Sequence, residues 1–321
     1  RITPAKKRIA VVGAGPAGLA AATTLAERGH TVTLFDSSDR IGGQFNMAKR
    51  VPGKEEFDET LRYFARRIEV TGVQLQLGQR VDAQRLAAQK FDEVILATGV
   101  TPRDPKIPGQ DHPQVLSYID VLLHKKPVGR KVAIVGAGGI GFDMAEYLAH
   151  GTDLGHHSPS VDLAAWLREW GVVDPASTRG GVVRGQPEAA AREVLLLQRK
   201  PGKHGSTLGK TTGWIHRAAL KMKNVELLSG VNYERIGPVD NPSEPSGRIG
   251  LFVTYGEGRK DGQVLAVDTI VLCAGQEPLR ELQAPLLAAG IKVHLIGGAH
   301  EAGELDAKRA INQGTRLAAA M

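Results

Sequence analysis

The apolar residues of this chain fall in two recurring forms: short β-branched runs, and longer stretches with apolar positions three and four apart. The first run, Ile9-Ala10-Val11-Val12, predicts a buried strand over 8–12. An Ala- and Leu-rich stretch predicts a helix over 19–28 closed by Gly29, and a second strand over 31–35 ends on Asp36. Further runs predict strands over 73–77, 91–97, 131–135, 194–198 and 292–296, with a short extended piece beginning at 79–81. The runs at 225–228, 231–236, 250–254 and 264–267 read as short strands, partly a meander, and 268–274 as a further buried strand. Helical spacing predicts 55–69, where Phe57, Leu61, Phe64 and Ile68 share a face, a helix running through Leu148, and a terminal helix over 304–320. Within 151–192, otherwise rich in Gly, Pro and Ser, one more helix is expected. Ser160 caps it, Gly171 ends it, and Leu163, Trp166, Leu167 and Trp170 share a face that is expected to be buried, docking on another surface being the alternative. Strands alternating with helices imply an α/β chain with parallel sheets.

The loop between the first strand and the first helix reads Gly13-Ala14-Gly15-Pro16-Ala17-Gly18. In that position each glycine has a physical reason. Gly13 permits the tight turn, Gly15 lets backbone approach a pyrophosphate, and Gly18 lets the helix pack close to the strand. The free N–H groups and dipole of the helix start, at Pro16 and Ala17, hold phosphates. Asp36, about 20 residues on, accepts hydrogen bonds from a ribose hydroxyl. The unit then recurs. Lys131-Val132-Ala133-Ile134-Val135 leads into Gly136-Ala137-Gly138-Gly139-Ile140-Gly141 and a helix, so Gly136, Gly138 and Gly141 repeat the first three glycines. A repeat of a whole βα unit implies two dinucleotides, or one dinucleotide and a relic; two are expected. Where the first unit has Asp36, the second strand ends on Arg199-Lys200. An acid repels a 2′-phosphate, whereas Arg199 grips it with a bidentate fork and Lys200 adds a point charge. The first unit should therefore take a dinucleotide with a free 2′-hydroxyl and the second should prefer NADPH, unless the basic pair is only a solvated turn.

Other stretches fit this arrangement. Gly42-Gly43-Gln44 lets backbone pass close to a cofactor, with Gln44 in reach to bond it, or is a plain turn. Lys54 reaches a diphosphate or flavin edge, or is a solvated lysine. Ala97-Thr98-Gly99, followed by Pro102, Pro105 and Pro108, marks a crossing between domains, and Cys273-Ala274-Gly275 before Pro278 marks the return. Gly99 and Gly298 are expected to line the first cofactor. A helix start at Leu305-Asp306 would aim its N–H groups at a flavin's pyrimidine edge. The polar loop over 201–213 would lie across the second nucleotide, with Trp214 either covering a ring or in the core. The expected architecture is two Rossmann-like dinucleotide-binding domains, the second inserted in the first. The first, 1–127 with 269–321, binds the dinucleotide with the free 2′-hydroxyl. The second, 128–268, binds NADPH and carries an insertion at about 151–192.

Composition narrows the function. The 321 residues are 42% hydrophobic, which suits packed domains, and no apolar run approaches the roughly 18 residues of a membrane span. No signal-peptide pattern is present. Cys273 is the one cysteine, which rules out an internal disulfide and any dithiol redox pair, so disulfide-reductase chemistry is excluded. The net charge of +7 is scattered, so attraction of phosphate-bearing cofactors is expected and nucleic-acid binding is not. His156-His157 lacks a third ligand at workable spacing, and no metal site is expected. The chain opens Arg1-Ile2-Thr3 without an initiator Met, as a piece of a longer polypeptide would. A cytoplasmic location is expected.

Two nested dinucleotide units resemble the two-dinucleotide-binding flavoprotein reductases. Longer runs sharpen the likeness: Ile41-Gly42-Gly43-Gln44-Phe45-Asn46, Val51-Pro52-Gly53-Lys54-Glu55-Glu56-Phe57, Leu208-Gly209-Lys210-Thr211-Thr212-Gly213-Trp214-Ile215-His216-Arg217 and Ala310-Ile311-Asn312-Gln313-Gly314-Thr315-Arg316. They resemble the C-terminal part of bacterial NADPH-dependent 2,4-dienoyl-CoA reductases, enzymes of fatty-acid β-oxidation. The resemblance implies FAD in the first unit, touched at Ala17, Asp36, Gln44, Lys54 and Val81, with Val81 acting through its backbone. It implies NADPH at Arg199 and Lys200. It also implies a partner in cis, an N-terminal FMN-binding barrel with a 4Fe–4S cluster. That cluster needs four thiolates, which this chain does not have, and no residue here is assigned to substrate protonation. The chain alone is expected to run the NADPH-to-FAD half reaction. The alternative is a nucleotide-binding scaffold that docks on a partner without turnover.

Overall fold

The computed structural model describes residues 2–206, 208–239, 243, 245–303 and 306–321. The chain forms two compact units. Arg1–Lys49, Glu56–Arg103 and Gln276–Met321 make the first; Arg50–Glu55 and Asp104–Gly275 make the second. The expected boundaries at 127/128 and 268/269 need correction. The strands Val115–Ser117 and Thr269–Leu272 pair with each other, and Thr269–Leu272 also pairs with Lys131–Val135, so both belong to the second sheet. An apolar run announces a strand but does not name its neighbours.

Among the described residues the first unit has a five-stranded parallel sheet in the order Lys292–Leu295, Glu93–Leu96, Arg8–Val12, Thr31–Phe35, Gln74–Gln76. Its central strands are buried on both faces. Val11, Leu34 and Ile95 pack with Leu19 and Leu25 of the helix Pro16–Glu27, while Val12, Phe35 and Leu96 pack with Leu86 and Phe91. The terminal helix Ala307–Ala320 lies against the first helix backbone to backbone: a Cβ on Gly314 would sit 2.3 Å from the Ala17 carbonyl oxygen. It starts at Ala307 rather than at 304, because Asp306 caps it by accepting from Lys308 N at 2.8 Å. The extended piece expected from 79 onward gives way to a helix, Ala83–Ala88, whose Asp82 cap accepts from Arg85 N at 2.7 Å.

The second unit repeats the plan. Its five-stranded parallel sheet runs Val115–Ser117, Thr269–Leu272, Lys131–Val135, Glu193–Gln198, Glu226–Ser229. An antiparallel meander of Val231–Pro238, Ile249–Tyr255 and Gln263–Val267 closes one face over Val135, Leu197 and Ile270. The helices Gly139–His150 and Gly213–Met222 follow the glycine turn and the basic strand end.

The stretch 151–192 leaves and rejoins this unit at one point. Arg192 forks onto Asp153 at 2.9 and 2.7 Å and donates to the carbonyls of Gly129 and Leu148 at 3.1 and 3.3 Å. Two expectations about its helix, Leu163–Trp170, are corrected. Asp162 caps it by accepting from Ala165 N, while the Ser160 hydroxyl is spent on Glu55 and Gly53 N. Nor is its aromatic face core. Leu163 is 73% and Trp166 39% exposed, the two tryptophan rings stack on each other, and the buried residue is Glu169. Glu169 pairs with the equally buried Lys223 at 3.1 Å, so the helix turns its ion pair inward. No described helix is long and apolar enough to cross a membrane.

Candidate functional site: two dinucleotide loops

In the first unit the glycine turn is dictated by crowding. Gly13 has φ +109°, and a Cβ on it would meet the Ala97 carbonyl oxygen at 2.3 Å. A Cβ on Gly18 would meet the Gly13 carbonyl oxygen at 1.8 Å. Gly15 is different: only the Cα of Gly43 lies within 4 Å of where its Cβ would be, at 3.9 Å. Its backbone borders open space at the helix start. That helix has Gly15 as an extended N-cap, Pro16 in its first turn, no capping side chain and no acid in its first turn. The N-terminal N–H groups are left for an anion. Gly43 at φ +51° and Gly15 approach within 3.0 Å by the same measure, and Gly298 sits against Gly99, so glycines wall the cleft where side chains would fill it.

Asp36 ends the neighbouring strand. Its Oδ2 accepts from Ala14 N at 2.7 Å and its Oδ1 from Ser38 N at 2.8 Å, which aims the carboxylate along the glycine loop. Gln44 N-caps the short helix Phe45–Ala48, and Val81 is buried. Lys54 falls in the second unit, where its ammonium meets both oxygens of Asp143 at 2.7 Å. Leu305 lies outside the described residues.

The second loop copies the first. Gly136 has φ +110°, and a Cβ would lie 2.3 Å from the Cys273 carbonyl oxygen; on Gly141 it would lie 1.9 Å from that of Gly136. Gly138 caps the helix in extended conformation with nothing within 4 Å of a Cβ position. The difference stands at the strand end. Arg199 and Lys200 are exposed, and among the described residues Arg199 has no ion pair. Trp214 is 58% exposed, so it is not core. Cys273 takes the place of Ala97 beneath this loop; burial pushes its thiol well above its ordinary range, which makes it inert.

Several residues that the sequence reading passed over support these loops. Asp143 holds Lys54, Glu146 bonds His216 Nδ1 at 2.9 Å, and His204 bonds the Leu228 carbonyl at 3.1 Å. In the first unit Gln313 accepts from Gly297 N at 2.8 Å, and Arg280 grips the carbonyls of Ala299 and His300. An acid on the apolar helix just past Gly141 was the available signal for Asp143; its partner, far away in sequence, was not readable.

Two uncapped helix starts behind glycine turns, each beside a strand that ends in a charge, define a two-dinucleotide α/β oxidoreductase. The family model described as pyridine nucleotide-disulphide oxidoreductase matches residues 7–301, and the chain belongs to that family. It is a flavin-dependent oxidoreductase module with FAD and a nicotinamide dinucleotide as its cofactors. With Cys273 as its one cysteine, the dithiol chemistry in the family's name is not open to this chain. A metal reductase of Desulforamulus reducens is 28% identical over 304 residues, covering 93% of this chain and 42% of that protein. A structure of 2-naphthoyl-CoA reductase with 2-naphthoyl-CoA superposes on the whole chain with a TM-score of 0.77 and 25% identity, and this chain spans 41% of it. Thioredoxin reductase of T. acidophilum shares the fold at a TM-score of 0.61 and 15% identity, over 98% of this chain and 97% of that one. The chain thus spans less than half of the first two relatives.

Proposed function

We propose that this chain is the electron-input module of a 2,4-dienoyl-CoA reductase of fatty-acid β-oxidation, working in the cytoplasm. It takes FAD on the first unit and NADPH on the second. The observation that carries the reading is the reversal of charge at matching strand ends: Asp36 beside the first glycine loop, Arg199 and Lys200 beside the second.

Bound FAD supplies the acceptor for the hydride that NADPH gives up. The chain's own residues bind and orient. The helix starts at Gly15 and Gly138 offer backbone N–H groups to the two diphosphates. Asp36 accepts from ribose hydroxyls, while Arg199 and Lys200 take the 2′-phosphate that an acid would repel. Gly43, Gln44, Val81, Gly99 and Gly298 border the first cofactor. A barrel with FMN and a 4Fe–4S cluster, carried by further polypeptide, would be the acceptor beyond this chain, as its 42% share of a longer relative allows.

Purified protein should be yellow, and anaerobic NADPH should bleach it faster than NADH does. A protein that cannot take up FAD, or whose flavin NADPH leaves oxidised, sinks the reading. Binding without reduction would instead favour the docking scaffold, for which the exposed Leu163 and Trp166 speak.

A further inference from the structure

Between the basic strand end and the helix Gly213–Met222, the backbone at Gly205 lies against the dinucleotide helix. A Cβ on Gly205 would sit 2.8 Å from the ring of Phe142, the residue directly after Gly141. Phe142 N itself donates to the Gly138 carbonyl at 3.0 Å, so the ring stands on the first turn of that helix. Arg217 donates to the Gly205 carbonyl at 3.4 Å, and His204, buried, holds the Leu228 carbonyl. That backbone is therefore fixed at one end by the helix that follows it. Among the described residues that helix makes one charged contact with the dinucleotide helix: His216 Nδ1 lies 2.9 Å from Glu146 Oε1. Glu146 projects from the dinucleotide helix one turn beyond Phe142 and is buried, whereas His216 is a third exposed.

We infer that His216 and Glu146 are a positioning pair that holds the backbone at His204 and Gly205 against Phe142, one residue past the second glycine loop, and so sets that loop's affinity for the dinucleotide. The inference rests on the second unit being the nicotinamide site. A buried carboxylate loses most when its cation is neutralised. Hydrogen bonding to Glu146 holds the His216 imidazole above its ordinary range, against the opposing effect of burial. The other charges facing it, Lys54 and Asp143, are paired with each other and act in opposite directions. A raised imidazole contributes fully below its ordinary range, and the contribution is lost as pH rises through the raised value. Dinucleotide binding should therefore slacken on the alkaline side.

The test is the Kd of NADPH on the FAD-loaded protein from about pH 6 to 9, together with the rate of flavin bleaching at saturation. NADH serves as control, because it lacks the 2′-phosphate whose own titration near pH 6 tightens binding as pH rises. Wild-type Kd for NADH should rise roughly three- to tenfold across the range, as for a half-buried ion pair, and that for NADPH by less because its 2′-phosphate titration opposes the rise, with the saturated rate unchanged. Glu146→Gln and His216→Gln should each flatten the profile at the weak-binding level while keeping FAD. A flat wild-type profile, a profile that survives in either variant, or a loss of saturated rate without a loss of affinity overturns the inference. Failure of NADPH to bleach the flavin at any pH would instead overturn the proposed function.

Discussion

At Gly13 and at Gly136 the backbone makes the same turn for the same reason, and the copy extends well past the loops. Gly13 N donates to the Phe35 carbonyl at 2.8 Å; Gly136 N donates to that of Leu197 at 2.9 Å. At the far ends of the strands, Asp92 accepts from Arg8 N and Asp268 from Lys131 N, each at 2.7 Å. The units part where chemistry is read or charge is buried. Asp36 is tied to Ala14 N by a hydrogen bond, while Arg199 reaches into solvent. Glu93, the residue after Asp92, is ringed by Lys7, Lys292 and His294, while Thr269 in the same place simply accepts from Gly129 N. The shared parts are backbone geometry. The parts that differ are side chains at strand ends, where a substitution leaves the sheet intact and changes what it binds.

The hardest test of that division is a methyl group at the third glycine. Gly18→Ala and Gly141→Ala force backbone apart, at a cost of about 3 kcal/mol or more. Gly18→Ala should yield colourless protein, and Gly141→Ala yellow protein that NADPH no longer bleaches. Loss of the same cofactor from both would break the comparison. Acid should separate the units next. Burial pushes the Glu93 carboxyl up, but hydrogen bonds from Lys7, His294 and Lys292 outweigh it and hold the group at about 2. Stability from Glu93 is thus present above its ordinary value of 4.5 and lost as pH falls toward 2. Urea melts should show the first unit losing roughly 3 kcal/mol over that interval, and Glu93→Gln should remove the slope.

Smaller effects sharpen the contrast at the strand ends. Replacing both Arg199 and Lys200 with Ser should weaken NADPH roughly 10- to 100-fold and NADH less than about twofold, by titration of nucleotide against flavin reduction. Equal losses for the two nucleotides would leave the 2′-phosphate out of the account. Asp36→Asn keeps one acceptor oxygen for Ala14 N, so the Kd for FAD should rise only about fivefold, measured by flavin release on dilution.

The turns were legible in the sequence because their causes are local. A positive φ with a carbonyl oxygen 2.3 Å from a Cβ position selects Gly13 and Gly136, and a carbonyl oxygen at 1.8 or 1.9 Å by itself selects Gly18 and Gly141. The basic pair was legible because the repeat sets it against Asp36. Long-range facts were not. Lys54 meets Asp143 across 89 positions, and nothing in either neighbourhood announces the other. Strand Thr269–Leu272 reads as the return to the first domain because the Cys273-Ala274-Gly275 exit and Pro278 match Ala97-Thr98-Gly99 and Pro102; only its partners show it to be a strand of the second unit. The Trp166 face misled for a chemical reason. Helical spacing reports which residues share a side, and here Glu169, off that side, is the residue that turns inward, paired with Lys223 from another helix's end.

Arg192 has a consequence of another kind. By pinning Asp153 with the guanidinium while bonding the Leu148 and Gly129 carbonyls, it ties off the neck of the intervening segment like a drawstring. The exposed turn at 174–177, outside the Glu169–Lys223 and Ser160–Glu55 contacts, can then grow, shrink or change its sequence without the parallel sheet registering it. Homologues that differ most in length should differ there, and a reporter peptide spliced between residues 174 and 178 should leave the chain's two glycine turns untouched.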